Sequence, residues 1–188
     1  MEERTQSSDI NFQIRLMNDS DYEKMSEFSC GVIELDDFFR YEMKECVQRH
    51  YLSAYCAFLN QNDIIAVFTL MNDALMIVGE SEKNDFIEDL RFEAEENVVD
   101  FFNKQTSYPA INIGHLGTIS SYQSKGIGTA IIDLVATTFT NFKQAGCQFL
   151  TVDALNNNRA IVFYQRAGFS FQTNKDFYSL TRRMYRIL

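Results

Sequence analysis

The segment Gln123-Ser124-Lys125-Gly126-Ile127-Gly128 constrains the fold more than any other part of the chain. It lies between an extended apolar run, residues 110–119, and a run with helical spacing, residues 129–142, so it predicts a turn from a strand into a helix. Glycines at 126 and 128 keep the backbone N–H groups accessible, because a Cβ at either position would hold a ligand away. The helix dipole adds positive potential at this end. The segment therefore predicts a site for an anion such as a pyrophosphate.

Two nucleotide-binding motifs are excluded for this segment. A dinucleotide fingerprint needs a third glycine three residues after the second, where this chain has Ile131. A Walker loop ends in Gly-Lys-Ser/Thr, whereas Lys125 precedes the first glycine here. Two alternatives stay open: a site for another phosphorylated cofactor, and a turn that only joins strand to helix.

Length and composition indicate a globular chain of one domain. It has 188 residues, of which 46% are apolar, with 17 Phe and no Trp. The four cysteines form no CxxC pair and only two histidines accompany them, so neither a disulfide framework nor a metal site is expected. Glu27 and Glu34 flank Cys30, which disfavours a reactive thiolate there. The polar N-terminus predicts no signal peptide and no membrane span, hence a cytoplasmic protein.

Charge is distributed unevenly along the chain. The formal net charge is −9; residues 1–100 carry 8 Lys/Arg against 23 Asp/Glu, and residues 101–188 carry 9 against 3. The basic half contains the glycine turn, which suits an anionic ligand. The acidic half favours a cationic substrate or a basic partner and disfavours a chain that coats nucleic acid.

The periodicity predicts an α/β protein with one domain over residues 10–188, preceded by a flexible tail at 1–9. Residues 80–107 are expected to be an acidic helical insertion. Strands are predicted at 12–16, 54–59, 64–71, 110–119, 148–152, 169–172 and 178–187, and helices at about 19–28, 35–49, 85–104, 129–142 and 159–166. Strands that alternate with helices favour a partly parallel sheet.

Two motifs in the second half resemble the GNAT superfamily of acyl-CoA-dependent N-acyltransferases. The first is Gln123-x-x-Gly126-x-Gly128. The second is Asn157 followed by Phe163-Tyr164-Gln165-Arg166-Ala167-Gly168-Phe169. Nearer the N-terminus, Phe28-Ser29-Cys30-Gly31 with Leu35-Asp36-Asp37-Phe38-Phe39 is similar to a GNAT branch that includes tRNA-acetylating toxins of toxin–antitoxin pairs. Where that branch usually has arginine, this chain has His115. The resemblance implies a mixed central sheet of about six to seven strands flanked by helices.

The resemblance also implies a role for each site residue. The backbone of Leu116, Gly117 and Thr118 would pair with the pantetheine arm of acetyl-CoA, where two strands splay apart. The pyrophosphate would lie on the turn formed by Ser124, Lys125, Gly126, Ile127, Gly128 and Thr129. Asn157 would hydrogen-bond the cofactor arm or, alternatively, cap a helix. Tyr164 would act as the general acid for the CoA sulfur, or else only pack in the core. Asp153 and His115 are the candidate bases, and no metal is required.

The function predicted from the sequence is an N-acetyltransferase that moves acetyl from acetyl-CoA to a primary amine by direct attack in a ternary complex. One alternative is acetylation of the amino group of aminoacyl-tRNA, with Lys125, Arg182 and Arg183 as RNA contacts, although the net acidity disfavours it. Another is a non-catalytic acyl-CoA-binding module. The candidate partners are a second copy of the chain, since a sheet edge needs covering, and an antitoxin. The sequence does not name the acceptor amine.

Overall fold

The computed structural model describes residues 3–7, 10–60, 63–93, 96–142 and 144–188. The strands are β1 (Glu3–Ser7), β2 (Ile10–Leu16), β3 (Ser53–Leu59), β4 (Asp63–Met76), β5 (Ser107–Thr118), β6 (Phe149–Leu155), β7 (Ser170–Phe171) and β8 (Thr181–Ile187). The helices are α1 (Asp19–Glu23), α2 (Ile33–Asp37), α3 (Met43–Gln48), α4 (Glu80–Glu93), α5 (Glu96–Asn103), α6 (Ile127–Asn141) and α7 (Asn158–Arg166). The strand order is β1-β2-β3-β4-β5-β6-β8-β7. This architecture confirms the predicted α/β class and central sheet, which β1 extends to eight strands within the described residues.

The first strand corrects the prediction of a flexible tail at residues 1–9. Residues 3–7 pair antiparallel with β2, from Glu3 opposite Ile14 to Ser7 opposite Ile10. Residues 1, 2, 8 and 9 lie outside the described part of the chain. The polar sequence of β1 has no alternating apolar pattern, so periodicity could not reveal it. The pairing instead satisfies backbone groups of β2 that would otherwise form a sheet edge.

The residues group into two compact units, whereas the sequence predicted one domain over residues 10–188. The first unit comprises Met1–Asn72 and Asn112–Phe139, and the second comprises Asp73–Ile111 and Thr140–Leu188. The boundaries fall within β4 and β5.

In the first unit, the helices between β2 and β3 cover a core that includes Met25, Phe28, Phe39 and Met43. The helix predicted over 35–49 starts earlier, at Ile33, and contains a π-helical segment, Phe38–Glu42, between α2 and α3. Such segments add one residue to a helical turn and rotate the side chains around them. Here Phe39 enters the core and Phe38 stacks on His115, with ring centroids 3.5 Å apart.

In the second unit, the segment predicted as an acidic helical insertion, residues 80–107, forms α4 and α5 and contributes apolar side chains to the core. The apolar faces of α4 and α5 pack with β4, β5, β6 and β8 around Phe86, Phe102, Tyr108 and Phe149. The Nζ of Lys83 donates a hydrogen bond to the Phe102 carbonyl at the end of α5 (2.8 Å). A lysine there compensates the unpaired carbonyls of the helix C-terminus.

Candidate active site

The glycine turn joins β5 to α6 as predicted, and α6 begins two residues earlier than expected, at Ile127. Ser124 (φ 60°) and Gly126 (φ 79°) both adopt the left-handed region. Ile127 is buried, while Ser124, Lys125 and Gly126 are exposed. The buried Ile127 thus anchors the helix start and leaves the turn before it at the surface.

The start of α6 has the electrostatics that an anion requires. First-turn N–H groups of a helix have no preceding turn to bond to, and the first turn of α6 contains no acidic residue. The Lys125 ammonium lies 4.6 Å from the centroid of the Tyr122 ring, which holds this positive charge beside the turn. The residues present therefore fit a pyrophosphate.

Gln123, the first residue of the motif, links the turn to the rest of the first unit. Its Nε2 donates to the Thr118 carbonyl at the end of β5 (2.9 Å) and to the Cys30 carbonyl (2.6 Å). Gln123 was not among the predicted site residues, although it is the first residue of the glycine motif. Both protons of the amide nitrogen are used, so the side chain bridges the strand end and the loop around Cys30.

The three residues assigned to the pantetheine arm lie at the carboxyl end of β5. Gly117 is required by packing: a Cβ built on it would lie 2.7 Å from the Cε2 of Phe39. Leu116 and Thr118 are half-buried and, because side chains alternate along a strand, lie on the opposite face from Gly117. Core packing on one face of β5 therefore accounts for the glycine at position 117.

The His115 side chain is packed against Phe38 and lies within hydrogen-bond distance of Thr69. Its Nδ1 is 3.0 Å from the Thr69 hydroxyl, and Phe38 covers its ring face. Burial lowers the pKa of His115 to about 4, so the imidazole is neutral at physiological pH. A group with so low a pKa is a weak base, which disfavours His115 as the catalytic one.

Tyr164 lies near the C-terminus of α7, which ends in a Schellman motif at Gly168 (φ 83°). The Phe169 N–H donates to the Tyr164 carbonyl (3.0 Å), and the Gly168 N–H donates to the Gln165 carbonyl (3.0 Å). The Tyr164 ring is buried between Phe163 and Phe169, with centroids 4.9 and 5.5 Å away. The sequence motif at residues 163–169 thus fixes the position of Tyr164 through a helix cap and two aromatic contacts.

Burial raises the pKa of the Tyr164 hydroxyl above its ordinary value of 10. The phenol therefore keeps its proton at physiological pH. Among the residues that the structure describes, no group hydrogen-bonds this hydroxyl. Core packing against Phe163 and Phe169 therefore explains the ring of Tyr164 but gives its hydroxyl no partner.

Asn157 and Asp153 each have a protein partner. The Asn157 Oδ1 accepts a hydrogen bond from the Ala160 N–H (2.9 Å), so it caps α7, the alternative considered for this residue. The Asp153 carboxylate, 54% exposed, accepts from Arg183 Nη1 (2.8 Å). One oxygen of the Asp153 carboxylate is therefore occupied by the Arg183 guanidinium.

Arg183 and Asp73 belong to a network of ion pairs and hydrogen bonds that no sequence pattern predicted. Arg183 lies opposite Asp153 in the β6–β8 register and also pairs with Asp73 near the end of β4. The Thr151 hydroxyl donates to the same Asp73 carboxylate. Because the pair at 73 and 183 is 110 positions apart, no sequence motif could reveal it.

The chain is similar to several known proteins. A model for the acetyltransferase (GNAT) domain matches residues 85–171. Among solved structures, a mutant of KacT is 18% identical with a TM-score of 0.68, covering 94% of each chain. A mutant AtaT toxin bound to the C-terminus of the antitoxin AtaR and acetyl-CoA is 19% identical with a TM-score of 0.66, covering 94% of this chain and 92% of that one. AtaT complexed with acetyl-methionyl-tRNAfMet is 19% identical with a TM-score of 0.67, covering 92% and 93%. Curated protein sequences gave no significant match.

The described residues contain no group of three or more His, Cys, Asp or Glu side chains placed to hold a metal ion. None of their helices combines the length and the apolar character needed to cross a membrane. The family match covers the glycine turn and Tyr164, and the structural likeness extends over nearly the whole chain. Residues 85–171 therefore match the GNAT acetyltransferase domain, and the chain shares the fold of the KacT and AtaT structures.

Proposed function

We propose that this protein transfers the acetyl group of acetyl-CoA to a primary amine by direct attack in a ternary complex. The observation that carries the proposal is the exposed turn at Ser124–Gly126, which ends at a helix start without acidic residues. The amides from Ser124 to Thr129 bind the pyrophosphate, and Lys125 adds positive charge. The backbone of residues 116–118 pairs with the pantetheine arm as an added strand would. The Asn157 amide nitrogen, which the helix cap does not use, hydrogen-bonds the same arm.

Tyr164 is proposed as the general acid. When the amine nitrogen attacks the thioester carbonyl carbon, the carbon–sulfur bond breaks and the departing sulfur needs a proton. The Tyr164 hydroxyl supplies it, because the phenol carries a proton at physiological pH and its oxygen has no hydrogen-bond partner among the described residues. Burial raises the pKa of this phenol and makes it a weaker acid than a free tyrosine, so the proton moves only as negative charge develops on the sulfur. The attacking amine loses its extra proton to water, since Asp153 is paired with Arg183 and the pKa of His115 is lowered.

A cationic amine is the acceptor that the surface of the first unit favours. The segment from α1 to α3 exposes carboxylates that take part in no ion pair among the described residues: Glu23, Glu27, Glu34 and Glu42. Like-signed clusters raise the local concentration of ligands of opposite charge. In this family fold these helices are expected to lie on the acceptor side, so they would favour a positively charged substrate.

Aminoacyl-tRNA is the second candidate, prompted by the structure of AtaT complexed with acetyl-methionyl-tRNAfMet. The arginines expected to contact RNA are engaged elsewhere in this chain. Arg182 is 4% exposed and bonds Asp176, and Arg183 bonds Asp73 and Asp153. Guanidinium groups that carboxylates already neutralise contribute little to phosphate binding. The contacts therefore support a small cationic amine over RNA.

The test is mass spectrometry of amine and tRNA pools incubated with the protein and acetyl-CoA. We expect a product among the small amines that is heavier by one acetyl group minus one hydrogen. Modification of charged tRNA alone would instead establish the second candidate. Turnover of neither pool, with acetyl-CoA still bound, would establish a non-catalytic binding module.

The role of Tyr164 has its own matched pair of variants. Tyr164→Phe is expected to lower kcat by about 100-fold and to leave the Kd for acetyl-CoA unchanged. Tyr178→Phe is the control, because Tyr178 is 95% exposed and lies outside the proposed site. Equal kcat values for the two variants would refute the general-acid role.

A protein partner is proposed on the same terms. A structure of a mutant AtaT toxin has it bound to the C-terminus of the antitoxin AtaR, which makes an antitoxin a candidate partner for this chain. Self-association is the other candidate, although β7, at the end of the strand order, has only two residues and offers a short edge. Light scattering of the purified protein, alone and co-expressed with a neighbouring small reading frame, distinguishes the two.

A further inference from the structure

The segment Phe28-Ser29-Cys30-Gly31 and the residue Asp36 form a connected motif whose purpose the acetyl-transfer chemistry does not explain. Asp36 is 7% exposed, in the core of the first unit. Its Oδ1 accepts from the Cys30 N–H (2.7 Å) and its Oδ2 from the Ser29 hydroxyl (2.6 Å). Burial alone raises the pKa of Asp36, but these hydrogen bonds bring it below the usual value, so the carboxylate is ionised. A buried carboxylate is costly unless its acceptors are satisfied, and here both bind one short loop.

The thiol inside this loop does not provide a reactive site. Burial, followed by the neighbouring Asp36, raises the pKa of Cys30 to about 11. The thiolate is thus disfavoured at physiological pH, in agreement with the expectation from the sequence. The part of Cys30 that matters is its backbone, whose N–H binds Asp36 and whose carbonyl accepts from Gln123.

The loop in turn holds the segment between β5 and the glycine turn. The Ser29 carbonyl accepts from the Ser120 N–H (3.1 Å) and from its hydroxyl (3.3 Å). The Cys30 carbonyl accepts from Gln123 Nε2 (2.6 Å), which also donates to Thr118 (2.9 Å). Gly31 has a φ of 80° and a Cβ there would reach within 3.4 Å of the Ser120 hydroxyl, so the loop approaches this segment closely.

We infer that Asp36 is a positioning residue for the acyl-CoA site, acting through the Ser29–Gly31 loop and Gln123 on the backbone from Thr118 to the glycine turn. The inference rests on the proposed function, because it assigns that backbone to acetyl-CoA. Asp36 touches neither cofactor nor substrate. The Asp36 carboxylate fixes the conformation of the Ser29–Gly31 loop. The Cys30 carbonyl of this loop orients the Gln123 amide, and the amide fixes the distance between the end of β5 and the glycine turn. Small displacements of such binding groups weaken ligand binding disproportionately.

The test compares Asp36→Asn with Asp37→Asn. Asp37 is the next residue on the same helix, has a 52% exposed side chain and makes only a 3.6 Å ion pair with Arg40. For Asp36→Asn we expect a rise in the KM and in the calorimetric Kd for acetyl-CoA of about 10-fold, with kcat changed by less than about twofold, as for lost uniform binding. Asp37→Asn is expected to match the wild type. A residue with a merely structural role would lower the melting temperature without moving the Kd of the folded protein.

A second variant covers the case in which Asp36→Asn does not fold. Gln123→Met removes both amide donors from a half-buried position, and it is expected to raise the Kd for acetyl-CoA to a similar degree. Where both variants fold, the double variant is expected to be no weaker than the poorer single one, because the two residues act along one path. Wild-type affinity in Gln123→Met, or equal affinity in Asp36→Asn and Asp37→Asn, overturns the inference. Failure of the wild type to bind acetyl-CoA overturns the proposed function instead.

Discussion

Replacing Gly117 with alanine tests whether packing or the ligand requires glycine at the end of β5. The added Cβ would lie 2.7 Å from Phe39 Cε2, 3.3 Å from its Cζ and 3.4 Å from the Cys30 Cβ. Phe39 cannot turn away freely, because it is buried and its ring packs edge-on against Phe28 with centroids 5.6 Å apart. The backbone of Gly117 is not in the left-handed region, so the expected cost comes from overpacking.

Overpacking of this kind costs about 1–3 kcal/mol of the free energy of unfolding. For a chain of this length each kcal/mol lowers the melting temperature by about 2–4 °C. Gly146→Ala is the control, since a Cβ at Gly146 meets nothing within 4 Å. That substitution is expected to be neutral or to stabilise by up to about 1 kcal/mol, through the smaller entropy of the unfolded chain.

The assay is urea unfolding followed by circular dichroism, with the free energy extrapolated to water for each variant. Phe39→Leu removes the ring edge that the new methyl would meet. Combined with Gly117→Ala, it is expected to destabilise by about 1 kcal/mol less than the sum of the two single changes. Since the methyl points away from the face of Leu116 and Thr118, the KM for acetyl-CoA is expected to stay within about twofold of the wild type.

Two results would refute this reasoning. Equal stability of Gly117→Ala and Gly146→Ala would show that Phe39 does not restrict the position. A large rise in KM without loss of stability would show that the ligand, and not Phe39, requires the glycine.

Two further predictions concern stability. Gly168→Ala forces a Cβ into a φ of 83° at the end of α7 and is expected to cost about 1–2 kcal/mol; a melting temperature equal to the wild type would contradict it. Burial raises the pKa of Asp21, but hydrogen bonds from Arg15 and the Asn18 N–H bring it below 3.8 overall. The resulting stability is complete above about pH 5 and falls as the pH drops below 3.8 through the lowered pKa. Urea unfolding at pH 6 and pH 3 should therefore show a smaller loss for Asp21→Asn than for the wild type, and equal losses would contradict the assignment.

Local motifs were the reliable part of the prediction from sequence. The glycine turn and the cap of α7 depend on residues close together in the chain: Gly126 for a left-handed φ, Ile127 for a buried helix start and Gly168 for a Schellman motif. Their backbone requirements can be met by few residue types. The resemblance to GNAT proteins could be predicted for the same reason, and the family model that matches residues 85–171 confirmed it.

Interactions between residues far apart in the chain could not be predicted from the sequence. The polar strand β1 forms because β2 offers unpaired backbone groups, which leave no mark on the sequence of residues 3–7. Asp153 was a candidate base until the β6–β8 register placed Arg183 opposite it. Likewise, the positive charge of the basic half was counted as available for a ligand, although Arg182 and Arg183 are held by carboxylates of the second unit.

Short spacings and restricted backbone conformations were enough to predict the turn before α6, the alternation of strands and helices, and the resemblance to GNAT proteins, because few residue types satisfy them. The folded structure was needed to show which charges are paired and why residue 117 is a glycine. It also showed that Asp36 reaches the glycine turn through Cys30 and Gln123. These depend on side chains that meet across the sheet and its helices, and their energies arise from burial and pairing that exist only after folding.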